Sequence, residues 1–95
     1  MKSFIYNNQE YTIEEIVRQM QAKAKQYNDP NFKSDEMSLK YTIKYDIQNK
    51  ELYIDSGVVI FGFEVIFDSK NSALNTIMDI GRDLIKAAFE SYLSE

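Results

Sequence analysis

Ninety-five residues, 44% apolar and 27% charged, make one globular domain, residues 1–95, too apolar to stay disordered and too short for two cores. The chain has no Cys and no His, which excludes disulfides, thiolate chemistry, the usual zinc ligands and the commonest general base near neutral pH. Eleven basic against fifteen acidic side chains leave a net charge of −4, the wrong sign for wrapping nucleic acid by phosphate neutralisation.

In chain order, Asn7-Asn8 can take the positive φ values of a tight hairpin turn, so Phe4-Ile5-Tyr6 and Gln9-Glu10-Tyr11 read as a very short ribbon. Thr12 stands three residues before Glu15, the spacing of a reciprocal N-terminal cap, with Tyr11 and Ile16 placed for a hydrophobic staple. Ile13, Ile16, Val17, Met20, Ala24 and Tyr27 follow one helical face, which predicts a helix near 13–27. Asn28 suits the left-handed position after a helix, and Pro30 forbids continuation. Residues 28–36 read as a polar loop.

Residues 38–47 alternate strictly. Leu39, Tyr41, Ile43, Tyr45 and Ile47 make a dry face; Ser38, Lys40, Thr42, Lys44 and Asp46 make a wet one. Gln48-Asn49-Lys50 is a turn, and Leu52 to Ser56 is a second strand. Val58 to Phe67 reads as a third strand, with Val59, Phe61, Phe63, Val65 and Phe67 on the core face. Linkers this short predict an antiparallel three-strand meander. Asp68, Ser69 or Ser72 can cap a last helix of about 22 residues, roughly 33 Å long. Gly81 falls inside it, where glycine costs about 1 kcal/mol relative to Ala and is compensated by close approach to the sheet. The expected fold is α+β, in αβββα order: a three-stranded antiparallel meander flanked by an N-terminal helix and a long C-terminal helix, preceded by the ribbon.

Chemistry is sparse. Gly57, Gly62 and Gly81 are isolated, so no phosphate cradle exists. Asp29, Asp35 and Glu36 lack the spacing and the turn glycine of a calcium loop, and read as solvated loop acids. Asp46 and Asp55 can face each other across the first hairpin, yet no aromatic cleft accompanies them as a sugar-cleaving pair would need. No catalytic residue, cofactor or metal is expected, and the protein is read as a non-enzyme.

What remains is surface. Val58, Ile60 and Ile66 should point away from the core face of the third strand, with Tyr53 joining them, and would form either an interface or a patch covered by the ribbon or the 28–36 loop. Asp79, Asp83 and Glu90 form an acidic line on the last helix, interrupted by Arg82 and Lys86. Lys40, Thr42 and Lys44 read as a solvent-facing strand surface, not as a base-stacking sheet. The longest apolar stretch, Val58 to Phe63, is far short of the ~20 residues of a spanning helix, and the first eleven residues carry no signal-like apolar run. A cytoplasmic location without membrane contact is the expectation.

A short acidic chain in αβββα order, taken over residues 12–93, resembles several small phage-borne anti-CRISPR proteins. The resemblance implies a stoichiometric, non-catalytic inhibitor that occupies a basic surface of an RNA-guided nuclease without touching nucleic acid itself, in a host cytosol, with exposed acids and tyrosines as contacts. The surface features supply the partner-binding candidates: Tyr53, Asp79, Asp83, Glu90, Val58, Ile60 and Ile66. The alternative is a self-associating accessory protein, a homodimer that buries the second apolar sheet face.

Overall fold

The computed structural model describes residues 3–32, 39–57 and 65–94. Among these the order is β1 (Ser3–Tyr6), β2 (Gln9–Thr12), α1 (Ile13–Tyr27), β3 (Lys40–Asp46), β4 (Glu51–Gly57), α2 (Lys70–Ile80) and α3 (Arg82–Leu93). The class is α+β, but the architecture is two separate two-stranded antiparallel sheets with three helices. The expected three-strand meander and single long C-terminal helix are both overturned.

The ribbon forms as the turn chemistry dictates. Asn7 and Asn8 hold φ of 51° and 64°, and β1 pairs with β2 from Ser3↔Thr12 to Tyr6↔Gln9. Phe4 and Tyr11, direct partners, stack at 5.8 Å between ring centroids. The chain leaves β2 straight into α1, where the Thr12 hydroxyl accepts from the Glu15 amide at 3.1 Å. Ile16, Met20 and Ala24 are the buried stripe of this helix. Asn28 ends it, although not in the left-handed conformation: its φ and ψ are −67° and 146°. Its value lies in the side chain. Nδ2 donates to the Ile66 carbonyl at 2.9 Å and Oδ1 accepts from the Asp68 amide at 3.0 Å. The carboxamide thus pairs with the 66–68 backbone as a neighbouring strand would.

β3 and β4 pair in register from Lys40↔Gly57 to Asp46↔Glu51. Ile43 and Leu52 enter the core, and Tyr41, Tyr45 and Ile54 pack against it half-buried. The dry face is shorter than the alternation implied. Leu39 and Ile47, just outside the paired strand, are exposed. The wet face is partly covered: Lys40 and Thr42 are only 7% and 2% exposed, and the Thr42 hydroxyl donates to the Val65 carbonyl at 3.0 Å.

Residues 65–67 lie beside β3, not beside β4. Tyr41 and Phe67 exchange two backbone hydrogen bonds, of 3.0 and 2.8 Å, in an antiparallel bridge. The first strand of the hairpin is therefore the central one, where a meander would have put the second. Gly57 opposite Lys40 and Phe67 opposite Tyr41 stand at the same end of β3, two strand spacings or about 10 Å apart. Val65 and Phe67 are buried, as their assignment to the core face requires. Val58, Val59, Ile60, Phe61 and Phe63 lie outside the described residues.

Ser69 caps α2, its hydroxyl accepting from the Ser72 amide at 3.1 Å. The helix stops at Gly81, whose φ of 108° and ψ of 124° are foreign to any helix. Gly81 closes α2 through its amide to the Ile77 carbonyl, and its own carbonyl accepts from the Ile85 amide to begin α3. A Cβ built on Gly81 would meet nothing within 4 Å. Close approach is thus not the reason for this glycine; backbone freedom is. The three helices pack on one another, and α2 and α3 also pack on the β3–β4 hairpin, with Tyr45 and Phe89 stacked at 6.1 Å. β1 lies against α3, and β2 against α1.

Candidate protein-binding edge at strand β4

The sequence-derived candidates fall into four groups, of which Tyr53 is the last. Val58 and Ile60 lie outside the described residues. Ile66 is half-buried, and its carbonyl is taken by Asn28, so the loop after α1 covers that stretch. The acidic line is broken by the turn at Gly81, which leaves Asp79 on α2 and Asp83 with Glu90 on α3. Two of these three acids have internal partners. Asp79 accepts from the Tyr27 hydroxyl and pairs with Lys23 at 3.2 Å; those two donors hold its carboxyl below the usual range, and the carboxylate in return raises the Tyr27 phenol. Glu90 accepts from the Tyr45 hydroxyl at 2.7 Å. Partial burial and that bond push the Tyr45 phenol up to about 12. Asp83 stands exposed in the first turn of α3, where a carboxylate suits the helix dipole.

The proposed facing pair Asp46–Asp55 does not form. Register sets Asp46 opposite Glu51 and Asp55 opposite Thr42. Asp46 closes its own turn, accepting from the Asn49 side chain at 2.7 Å and from the Gln48 and Asn49 amides, and this lowers its pKa. Asp55 accepts from Lys44 at 2.6 Å, which lowers its pKa as well. Both carboxylates are occupied in holding the hairpin. Asp68 is pushed up by burial, but the Asp29 amide and the Ser72 and Ser69 hydroxyls outweigh this and hold it low. Among the described residues no group of three acidic side chains is placed to hold a metal ion, and no helix is long and apolar enough to cross a membrane.

Beside Asp83, Tyr53 is the sequence candidate that the fold leaves open. It sits mid-strand on β4, 45% exposed, on the face away from the helices. Among the described residues nothing pairs with the outer edge of β4. Tyr53 rims two hollows. One, of about 380 Å³, runs toward the hairpin turn between Tyr45, Asp46, Ile47 and Gln48. The other, of about 320 Å³, opens between β4 and the two C-terminal helices. Ile47, 65% exposed, and Leu93, 46% exposed, extend the apolar surface around Tyr45 toward the end of α3, where a third hollow lies. Unpaired backbone along a strand edge, one exposed aromatic and neighbouring apolar side chains are the elements of a surface that a second polypeptide can cover.

Sequence reasoning missed Ile47, which it placed on the dry face, and the surroundings of Tyr53. The only signal for Ile47 was its position beside the turn residues Gln48-Asn49-Lys50, where a strand ends and its last side chain loses cover. Comparison with protein-family models, curated proteins and solved structures returns no match.

Proposed function

We propose that this chain acts without catalysis, by binding a partner protein along the outer edge of β4 with Tyr53 as the central anchor. The observation that carries the reading is the coincidence of a strand edge unpaired among the described residues with an exposed tyrosine that rims two hollows. An aromatic side chain in that position supplies a large contact area at low conformational cost, and such anchors dominate interface energetics. The absence of imidazole and thiol from the sequence and the engagement of Asp46, Asp55 and Asp79 in internal bonds support a binding role over a chemical one.

Inhibition of an RNA-guided nuclease keeps size, acidity and the lack of imidazole and thiol as supports and loses the element order. The net charge of −4 favours a basic partner surface, whereas the αβββα order on which the resemblance stood is replaced by ββαββαα. A panel of type II nucleases is therefore the first set of purified partners to assay. A photocrosslinking residue at position 53 serves for partners outside that panel, with position 78, the exposed Met78 on α2, as the control site. For any partner so found, Tyr53→Ala should weaken binding at least about thirtyfold, the loss of about 2 kcal/mol expected of an anchor, and Met78→Ala should leave it unchanged. Affinity that survives both Tyr53→Ala and Ile47→Ala refutes the reading.

The exposed Ile47, Tyr53 and Leu93 support self-association as the second reading. A concentration-independent mass of 11.1 kDa by light scattering rejects it.

A further inference from the structure

The hollow between β4 and the helices is touched by three consecutive residues, Leu52, Tyr53 and Ile54. Side chains alternate along a strand, so Leu52 and Ile54 turn toward the helices while Tyr53 turns away. A cavity that meets all three meets the strand along its edge, where the backbone donors and acceptors are. Its other wall is apolar, made by Leu74 and Ile77 of α2. Two cations complete the lining, Lys70 and Arg82. Each is the first residue of its helix, so one stands at either end of α2, roughly 17 Å apart along an eleven-residue helix. Both are exposed, and neither is paired with a carboxylate among the described residues. Among the described residues no acidic side chain lines the hollow. In a chain of net charge −4, this is a locally positive groove with an apolar floor beside an open strand edge.

We infer that the groove receives an extended, acidic–apolar segment of a partner protein, which adds as a strand to β4, drops its apolar side chains between β4 and α2 and sets carboxylates against Lys70 and Arg82. Strand addition uses main-chain hydrogen bonds for affinity and pockets for alternate side chains for specificity; the apolar floor and the two cations are those pockets. The carboxylates belong on the same side of the incoming strand as its apolar residues, hence at even spacing from them. A second copy of β4 does not fit this chemistry. Added in antiparallel fashion across a two-fold axis, it would present Leu52 and Ile54 to the groove and bring no carboxylate to either cation; its acids, Glu51 and Asp55, share the other face with Tyr53.

This inference rests on the proposed binding role and names the occupant of its site. The test uses the whole chain and three synthetic peptides. The first alternates valine with threonine and carries glutamate at both ends of the valine row. The second has lysine in place of glutamate. The third is the first with N-methylated amides along one strand edge. Amide shift mapping should show the glutamate peptide at residues 51–57 and 70–82. The lysine peptide should bind at least about tenfold more weakly, and N-methylation should abolish binding. Lys70→Glu with Arg82→Glu, both on the surface, should reverse the preference between the charged peptides; unchanged far-ultraviolet circular dichroism verifies the fold. Shifts elsewhere, no binding, or equal affinity for both charged peptides overturns the inference. A purified partner that depends on Tyr53 but is indifferent to the double charge reversal also overturns it, while leaving the binding role standing. A partner indifferent to both Tyr53→Ala and Ile47→Ala removes the binding role itself.

Discussion

Substituting Gly81 separates two accounts of the C-terminal third by the sign of a stability change. If residues 70–93 were one continuous helix, Gly81→Ala would remove an interior glycine and stabilise the protein by about 1 kcal/mol. The observed φ of 108° lies where L-residues are strained, and holding alanine there costs on the order of 1–3 kcal/mol. Nothing lies within 4 Å of the added methyl, so the cost is conformational and not steric. Urea unfolding should therefore show a loss of about 1–3 kcal/mol, and thermal unfolding a fall of about 4–8 °C for each kcal/mol in a domain of this size. A higher urea midpoint for the Gly81→Ala protein would refute the broken-helix account.

Other outcomes can be read from single contacts. Thr42→Val keeps the shape of a buried side chain but strands the Val65 carbonyl, and should cost about 1–3 kcal/mol by urea titration. Asn28→Asp retains the acceptor for the Asp68 amide but faces the Ile66 carbonyl with a second oxygen; it should destabilise more than Asn28→Ala, and the gap should narrow in acid. Asp46, Asp55, Asp68 and Asp79 all have lowered pKa values in the fold. Their contribution is present above the unfolded value near about 3.9 and is lost as pH falls below it, so the urea midpoint should drop there, less steeply in Asp79→Asn. The Tyr45 phenol, raised to about 12, favours the fold below its unfolded value near about 10 and loses that contribution as pH climbs toward 12. Phenolate absorbance should lose one late-titrating tyrosine in Tyr45→Phe.

Features legible in the sequence were those decided by near neighbours. The Asn7-Asn8 turn, the Thr12 cap, the span of α1 and the alternation of β3 depend on residues a few positions apart. Features that failed depend on distant ones. A period of two says which side chains share a face but not which strand lies alongside, so the 65–67 segment was assigned to the wrong neighbour. Asn28 carries the same composition signal whether its backbone turns left-handed or its amide reaches across some forty residues to Ile66 and Asp68. Gly81 in an apolar stripe reads as a tolerated helix interior until its φ is known. Tyr53 was legible as a side chain on the outer face. The groove beside it was not, because Lys70, Leu74, Ile77 and Arg82 meet β4 only after α2 has packed.

The seating of β1 on α3 has a consequence for birth on the ribosome. The hairpin of residues 3–12 can close within about 1–10 μs of leaving the tunnel. α1, which supports β2, follows at once, but the support of β1 is encoded roughly 80 residues downstream, which at about 5–20 residues per second takes on the order of 4–16 s to translate. A two-stranded ribbon is marginal by itself, so through those seconds it opens and recloses many times over. The side of β1 that α3 later covers stays open meanwhile to chaperones and to other nascent chains.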